Sequence, residues 1–381
     1  MNARVATLPS RTSAPARVAL LGVGTVGSAV WSRLAGWRGT AFGERLTLVH
    51  AANSRVSISN RHGIPADTRD LLWRNATQAS TLDAVEQALA GEQPRIVIDA
   101  TASEAVAERH GSWLAAGIHV VTACKLGQGT SLARWRTIQS ARARGGTCYG
   151  DSATVGAGLP VLRSLRELQA GGDRIHAIAG VLSGSMAWLC NQYDGLRPFS
   201  GFVRQARDAG YTEPDPREDL SGEDVRRKLL ILARSAGFEL DAGDVQVASL
   251  VPPALNDLGR DAVDAALPLL DAPLRARYAA AYKHGERLRF IARLQDGHAS
   301  VALESLPVDH PLASGAGTDN RVAIWSDRYC TQPLLIQGPG AGAEVTAAAL
   351  LDDVLAIQAG AAQAGVEVPK NASIGCGRWN T

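Results

Sequence analysis

Between Glu213 and Lys228 the chain places six carboxylates: Glu213, Asp215, Glu218, Asp219, Glu223 and Asp224. The segment reads EPDPREDLSGEDVRRK and ends on a lysine. Asp224 and Lys228 stand at i, i+4, which puts them on one face of a helix. Gly210, Pro214, Pro216 and Gly222 forbid a long helix before that point, so the acids sit on a structured loop feeding the helix. Acids delivered against a helical lysine can hold a small cationic or zwitterionic substrate beside a proton donor. The same spacing also suits a solvated acidic loop with ordinary i,i+4 pairing. The apolar neighbours of Lys228 (Val225, Leu229, Leu230, Ile231) favour the first reading. Partial burial would lower the lysine pKa toward the range that proton transfer needs.

Of 39 Lys+Arg only four are lysines: Lys125, Lys228, Lys283 and Lys370. Arginine is the default cation here, and a guanidinium does not give up its proton as a buried amine can. Lysine is therefore of interest where it persists. Lys125 ends the TACK segment, just past the carboxyl end of a strand, where parallel sheets bind ligands. Taken alone it is equally a surface lysine opening a loop. Lys283 and Lys370 read as chance retention.

The elements that must position these groups begin with a buried strand at residues 17–21, RVALL. Gly22, Val23, Gly24, Thr25, Val26 and Gly27 then form a GxGxxG turn before an apolar-periodic helix. After a strand and before a helix, this pattern suits a dinucleotide pyrophosphate, although glycine can also serve a plain strand–helix turn. A second strand, LTLVHAA at 46–52, ends in Asn53, Ser54 and Arg55. No acid stands there to repel a 2′-phosphate and Arg55 can pair with one, which favours NADP, with NAD as the alternative. Strands at 95–100 and 118–123 enclose a helix around 105–116. Alternating strands and helices predict a Rossmann-type, doubly wound parallel sheet. From Asp151 a Gly-rich loop, SATVGAGLP, opens a helix ending at Gly171 and Gly172; its carbonyls can shape a bend or hold a monovalent cation, and the bend is the simpler reading. Then come a strand at 175–182, an SGS turn at 183–185, a helix from about 222 to 236, a helical region at 252–282, strands at 287–294 and 299–306, and a strand–turn–helix at 334–358. The expected units are a tail (1–16), a dinucleotide-binding domain (17–150), an α+β substrate-binding and dimerisation domain (151–335), a returning segment (336–365) and a second tail (366–381).

The formal net charge of +2 gives no case for nucleic acid or a membrane surface, and no apolar run is long enough to span a bilayer. Five cysteines, Cys124, Cys148, Cys190, Cys330 and Cys376, are widely spaced with no CxxC pair. That argues against a disulfide framework or structural zinc, and for a reducing compartment. The acid-free start, MNARVATLPSRTSAPAR, has the flavour of a transit peptide, but Pro9 and Pro15 break any amphipathic helix; it reads as the tail of a cytoplasmic protein.

Together the pieces resemble homoserine dehydrogenase. The family pattern of Ala, Gly-aromatic, Pro and D-L-x-G-x-D-x-x-x-K is met by Ala206, Gly210-Tyr211, Pro216, Asp219-Leu220, Gly222, Asp224 and Lys228. GVGTVG, ANSR, VTACK, SATVGAGLP, GVLSGS and GPGAGAEVTA extend the resemblance over about 17–357. The wording TEPDPREDLSG is most like the dehydrogenase half of bifunctional aspartokinase–homoserine dehydrogenases, in a chain with no room for a kinase. The resemblance implies NAD(P)H-dependent, reversible reduction of L-aspartate 4-semialdehyde to L-homoserine, on the route to threonine and methionine, by a homodimer. It makes Lys228 the proton donor, with Asp224 orienting it and Lys125 between cofactor and substrate. Glu213 would hold the substrate amino group, and Asp219 and Asp224 would complete the polar cradle. Thr101 and Gly340 would touch the nicotinamide end of the cofactor, and the carbonyls of Ser152, Val155, Ala157 and Leu159 match a sodium site. Two positions depart from the family: Cys124 replaces the usual Asn before the lysine, and Ser152 replaces the Glu that begins the loop. A reductase of another amino-acid-like aldehyde and a non-catalytic dinucleotide sensor remain the alternatives.

Overall fold

Runs of Val, Leu and Ile without alternation fold as strands covered on both faces. That is the state of β1 (Ala16–Leu21), β2 (Leu46–Ala52), β5 (Arg95–Asp99) and β6 (His119–Thr122). The computed structural model describes residues 14–360, so most of the first expected tail, the end of the returning segment (361–365) and the whole second tail, with Lys370 and Cys376, lie outside the described residues. With β3 (Val56–Ser59), β4 (Gln78–Ala79) and β7 (Tyr149–Gly150) these strands form one sheet, ordered β4-β3-β2-β1-β5-β6-β7. The parallel part is the expected doubly wound sheet. The β3–β4 edge corrects the all-parallel reading: both its pairings are antiparallel. Three residues separate β2 from β3, too few for a crossover. Asn53 Oδ1 accepts from the N–H groups of Arg55 and Val56, both at 2.8 Å, and turns the chain back on itself.

The second sheet contains β8 (Ile175–Val181), β9 (Val245–Val247), β10 (Glu286–Gln295), β11 (His298–Pro307), β12 (Asp319–Ser326) and β13 (Leu334–Pro339). Its order is β13-β12-β8-β10-β11-β9. Helices Val161–Ala170 and Glu223–Ser235 bury Leu162, Leu165, Leu229 and Leu232 in the same apolar core as Phe290, Leu294 and Val301 of this sheet. The region expected to be helical at 252–282 is broken into Pro253–Asn256, Val263–Ala266 and Asp271–Lys283. Pro252, Gly259 and Pro268 punctuate it. The last described helix, Ala343–Gln358, returns to the first sheet, where Leu350 and Val354 share a core with Val18, Leu20 and Trp31.

A buried cation joins the two sheets where function needs them joined. Arg234, 3 % exposed, donates to the carbonyls of Gln128 (2.5 Å), Thr130 (2.8 Å) and Leu240 (2.8 Å). Burial pulls its pKa down to about 10. The arginine thus pins the loop after Lys125 to the Glu223–Ser235 helix. Gly129 makes the approach sterically feasible, since a Cβ there would stand 2.7 Å from the Lys125 carbonyl oxygen and 2.9 Å from that of Arg227. Gly129→Ala should therefore force loop and helix apart and destabilise the fold by roughly 1–3 kcal/mol. Thermal unfolding measures this; a midpoint equal to that of the parent would contradict the close packing.

Candidate active site

The Gly-rich turn meets the requirements of a phosphate cradle. Gly22 has φ +84°, and a Cβ there would lie 2.7 Å from the Ala100 carbonyl oxygen. A Cβ on Gly27 would sit 1.8 Å from the Gly22 carbonyl, so only glycine lets the helix Thr25–Gly36 rest on β1. Gly24 caps that twelve-residue helix without a side-chain bond, and nothing lies within 4 Å of where its Cβ would point. The first-turn N–H groups of Thr25 and Val26 precede the first helical bond, which Ser28 N–H makes to the Gly24 carbonyl at 2.8 Å, and so remain for an anion. At the edge of this turn Arg55 is exposed with no carboxylate partner among the described residues.

A buried polar network sets the carboxyl ends of β5 and β6. Asp99 and His110 are fully buried. His110 bridges the Asp99 carboxylate (3.0 Å) and the Tyr149 hydroxyl (2.9 Å). Asp99 also accepts from Thr101 N–H (2.9 Å), the Thr101 hydroxyl (2.6 Å) and the Thr122 hydroxyl (3.2 Å). Thr122 Oγ1 in turn accepts from the Cys124 N–H at 2.8 Å. Thr101 is thereby held against Gly22, and the backbone is fixed one residue before Lys125. Burial, reinforced by the Asp151 and Asp99 charges, pushes the Tyr149 hydroxyl well above its ordinary pKa, so it serves as a neutral partner.

The two lysines singled out by sequence converge on one carboxylate. Lys228 Nζ lies 2.8 Å from Asp224 Oδ2, and Lys125 Nζ lies 3.3 Å from Asp224 Oδ1. Burial opposes the charge on Asp224, but Lys228 and then Lys125 outweigh it and hold the carboxyl well below the usual carboxylate range. Lys228 also donates to the Leu182 carbonyl at 2.8 Å, leaving one of three ammonium donors for a substrate oxygen. Partial burial was the expectation from sequence; the structure adds the Asp224 carboxylate as a direct partner of the Lys228 ammonium. Side-chain exposure is 13 % for Lys228, 31 % for Lys125 and 41 % for Asp224, so the cluster is partly open to solvent and to a substrate. Gly222 (φ +79°) caps the helix that carries Asp224 and Lys228. A Cβ on Gly222 would come within 3.0 Å of the Phe290 ring.

The acids of the loop have separate tasks. Asp215 is tied to Arg217, which also binds the carbonyls of Leu255, Asn256 and Leu258, so this acid braces the loop. Asp219 accepts from the Ser185 hydroxyl and, at 2.8 Å, from the Glu213 N–H. Burial raises the Asp219 pKa against these two hydrogen bonds. With its backbone held in this way, Glu213 leaves its own carboxylate exposed at the mouth of the cleft.

Comparisons with known proteins give the family. A family model described as homoserine dehydrogenase matches residues 160–355, and one described as its NAD binding domain matches residues 22–149. A Schizosaccharomyces pombe homoserine dehydrogenase is 34% identical over 91% of this chain and 96% of its own. The chain belongs to the homoserine dehydrogenase family. A maize chloroplastic bifunctional aspartokinase/homoserine dehydrogenase is 41% identical over 68% of this chain, which spans only 29% of that protein. A solved Candida auris protein of unknown function superposes with a TM-score of 0.83 at 35% identity, covering 90% of this chain and 97% of its own.

The departures from the family pattern now have surroundings. Cys124 is 3 % exposed, and burial followed by the Asp99 charge pushes its thiol up to about 12, so it is an inert small group. Cys148 and Cys190 are also free thiols. Cys330 is disulfide-bonded, a single bond that the wide cysteine spacing did not reveal and that weighs against the expected reducing compartment. Ser152 opens a loop that turns through Gly156 (φ +76°) and Ala157 (φ +50°). Its N–H (3.0 Å) and hydroxyl (2.8 Å) both donate to Asp353 of the returning helix. The Leu159 carbonyl accepts from the Val161 N–H at 2.8 Å. Gly340 follows β13 and lies against the side chain of Asn320. Asp99, His110, Tyr149, Ser185, Arg234, Asn320 and Asp353 were not anticipated: each acts through a residue distant in sequence, and no local spacing marks them. A separate cavity of about 920 Å³, lined by Tyr193, Tyr278 and Arg289 among others, contains none of the lysines or acids of the cleft.

Burial is the main reason the Asp353 pKa rises to about 6; the Ser152 hydrogen bonds oppose it and the Asp151 charge adds to it. A carboxyl raised above its unfolded value contributes stability that is fully present below the unfolded pKa and is lost as pH rises through about 6. Relative to Asp353→Asn, the parent should therefore lose on the order of 1 kcal/mol between pH 5 and pH 8. Denaturant unfolding of both proteins at the two pH values measures this, and a pH-independent difference would contradict it.

Proposed function

We propose that this chain catalyses the reversible reduction of L-aspartate 4-semialdehyde to L-homoserine with a nicotinamide cofactor, in threonine and methionine biosynthesis. The observation that carries the reading is the Lys228–Asp224–Lys125 cluster at the carboxyl edge of the first sheet, in an intact family motif. Family membership supports the substrate. The exposed Arg55, with no acid at the end of β2, supports NADPH over NADH.

The chain's own residues then act as follows. Gly22, Gly24 and Gly27 leave room for a pyrophosphate, and the free first-turn N–H groups of Thr25 and Val26 bind it. Asn53 shapes the turn that presents Arg55 to a ribose phosphate. Thr101 and Gly340 flank the nicotinamide end. Bound there, the cofactor supplies the hydride. Glu213 anchors the substrate ammonium, with Asp219 fixing the Glu213 backbone and completing the polar cradle with Asp224. Lys125 neutralises Asp224 from the cofactor side. The free N–H of Lys228 meets the substrate carbonyl oxygen, stabilises the developing alkoxide and gives it a proton.

The same reading extends to the assembly. Residues 17–150 and the returning helix Ala343–Gln358 form the dinucleotide-binding unit; the boundary expected at 335/336 moves past β13, which pairs with β12, so that 151–339 is the substrate and dimerisation unit of a cytoplasmic homodimer. Among the described residues no helix is long and apolar enough to cross a membrane. The carbonyls of Ser152, Val155, Ala157 and Leu159 form a sodium site. It is supported by the left-handed turn at Gly156 and Ala157 and lacks the carboxylate usual at 152.

Spectrophotometric oxidation of NADPH and of NADH by the purified chain with L-aspartate 4-semialdehyde tests the proposal. NADPH should be the faster. Lys228→Ala should lower kcat at least about 100-fold with cofactor affinity nearly unchanged. Near-parental kcat in that variant would remove Lys228 from the chemistry.

A further inference from the structure

Asn320 stands in the second position of β12, 1 % exposed, one residue before the register in which Arg321 pairs with Val181 of β8. Its Nδ2 donates to the Leu182 carbonyl at 3.3 Å. That carbonyl is the one Lys228 Nζ binds at 2.8 Å. The contact fixes the amide orientation, because the reverse flip would set two carbonyl oxygens against each other. The other end of the amide, Oδ1, is buried with no hydrogen-bond partner among the described residues. Gly340 lies against this group: a Cβ there would stand 2.1 Å from the Asn320 amide carbon, so only glycine leaves space for the side chain. Buried amide oxygens are nearly always satisfied, so this one calls for a partner that a bound molecule can supply.

The missing partner must be a donor. The substrate aldehyde oxygen cannot serve, since it only accepts, and the substrate ammonium is taken by Glu213. Lys228 marks where that oxygen lies. The ring carbon that delivers the hydride must touch the carbonyl carbon bearing it, and the carboxamide hangs from the next ring carbon. Its N–H is therefore brought to the group that shares the carbonyl acceptor of Lys228. We infer that Asn320 Oδ1 accepts the carboxamide N–H of the nicotinamide ring and so fixes the ring in register with Lys228. The inference rests on the nicotinamide-dependent reading of this site.

The test is cofactor binding without substrate. Dissociation constants are measured by titration calorimetry for NADP+ and for its 3-acetylpyridine analogue, in which a methyl group replaces the carboxamide NH2. The parent should prefer NADP+ about tenfold. Asn320→Leu, which removes the acceptor at similar size, should bind the two within about twofold of each other. If Asn320→Leu does not fold, Asn320→Ser, whose shorter side chain withdraws the acceptor, carries the same expectation. A parent without preference, or a variant that keeps the parental preference, overturns the inference and leaves the proposed activity standing. A parent that binds neither cofactor overturns both.

Discussion

The site depends on one carboxylate shared by two ammonium groups. Burial works against the charge on Asp224, and Lys228 and Lys125 outweigh it. The arrangement also works in reverse: without Asp224, two cations would face each other across the cleft. Lys228 comes from a helix packed on the second sheet, whereas Lys125 follows β6 of the first. The salt bridge therefore requires both layers to be held in register. Arg234 and Gly129 provide that register a few residues away, and Gly222 starts the helix at the point that brings Asp224 to the cleft.

Charge alone does not reveal function here. Many ion pairs on this surface, such as Arg136 with Glu239 or Arg197 with Asp194, are half-exposed and of the kind that adds little stability. Within the acidic loop the division is sharper. Asp215 has a fully committed arginine, and Asp219 is occupied by Ser185 and the Glu213 backbone. Glu213 alone of these three presents an uncommitted carboxylate. A loop that braces itself with two acids and offers a third can bind a small ammonium group without reorganising, which is what positioning catalysis requires.

Much of this was legible in the sequence because the signals were local. The bounds of β2 were read directly from LTLVHAA, and the glycine turn, the start of the Glu223–Ser235 helix and the Asp224–Lys228 pairing follow from spacing and turn chemistry. The antiparallel β3–β4 edge was missed because a three-residue Asx turn leaves no strong periodic mark. The role of Lys125 needed three dimensions, since its partner lies 99 positions away in the chain (224 minus 125). The Asp99–His110–Tyr149 network was invisible for the same reason: a histidine within an apolar helix gives no hint of the carboxylate beneath it. Partial burial was a correct expectation for Lys228, whose side chain is 13 % exposed, and the Asp224 partner lies on the same helix face as the spacing requires.

The most direct test of the shared carboxylate is kcat for L-aspartate 4-semialdehyde reduction by Asp224→Asn, alone and combined with Lys228→Ala. If Asp224 acts by holding Lys228, the double variant should be no slower than Lys228→Ala by more than about twofold. Losses that multiply would show that Asp224 contributes independently of the lysine, and would contradict the account.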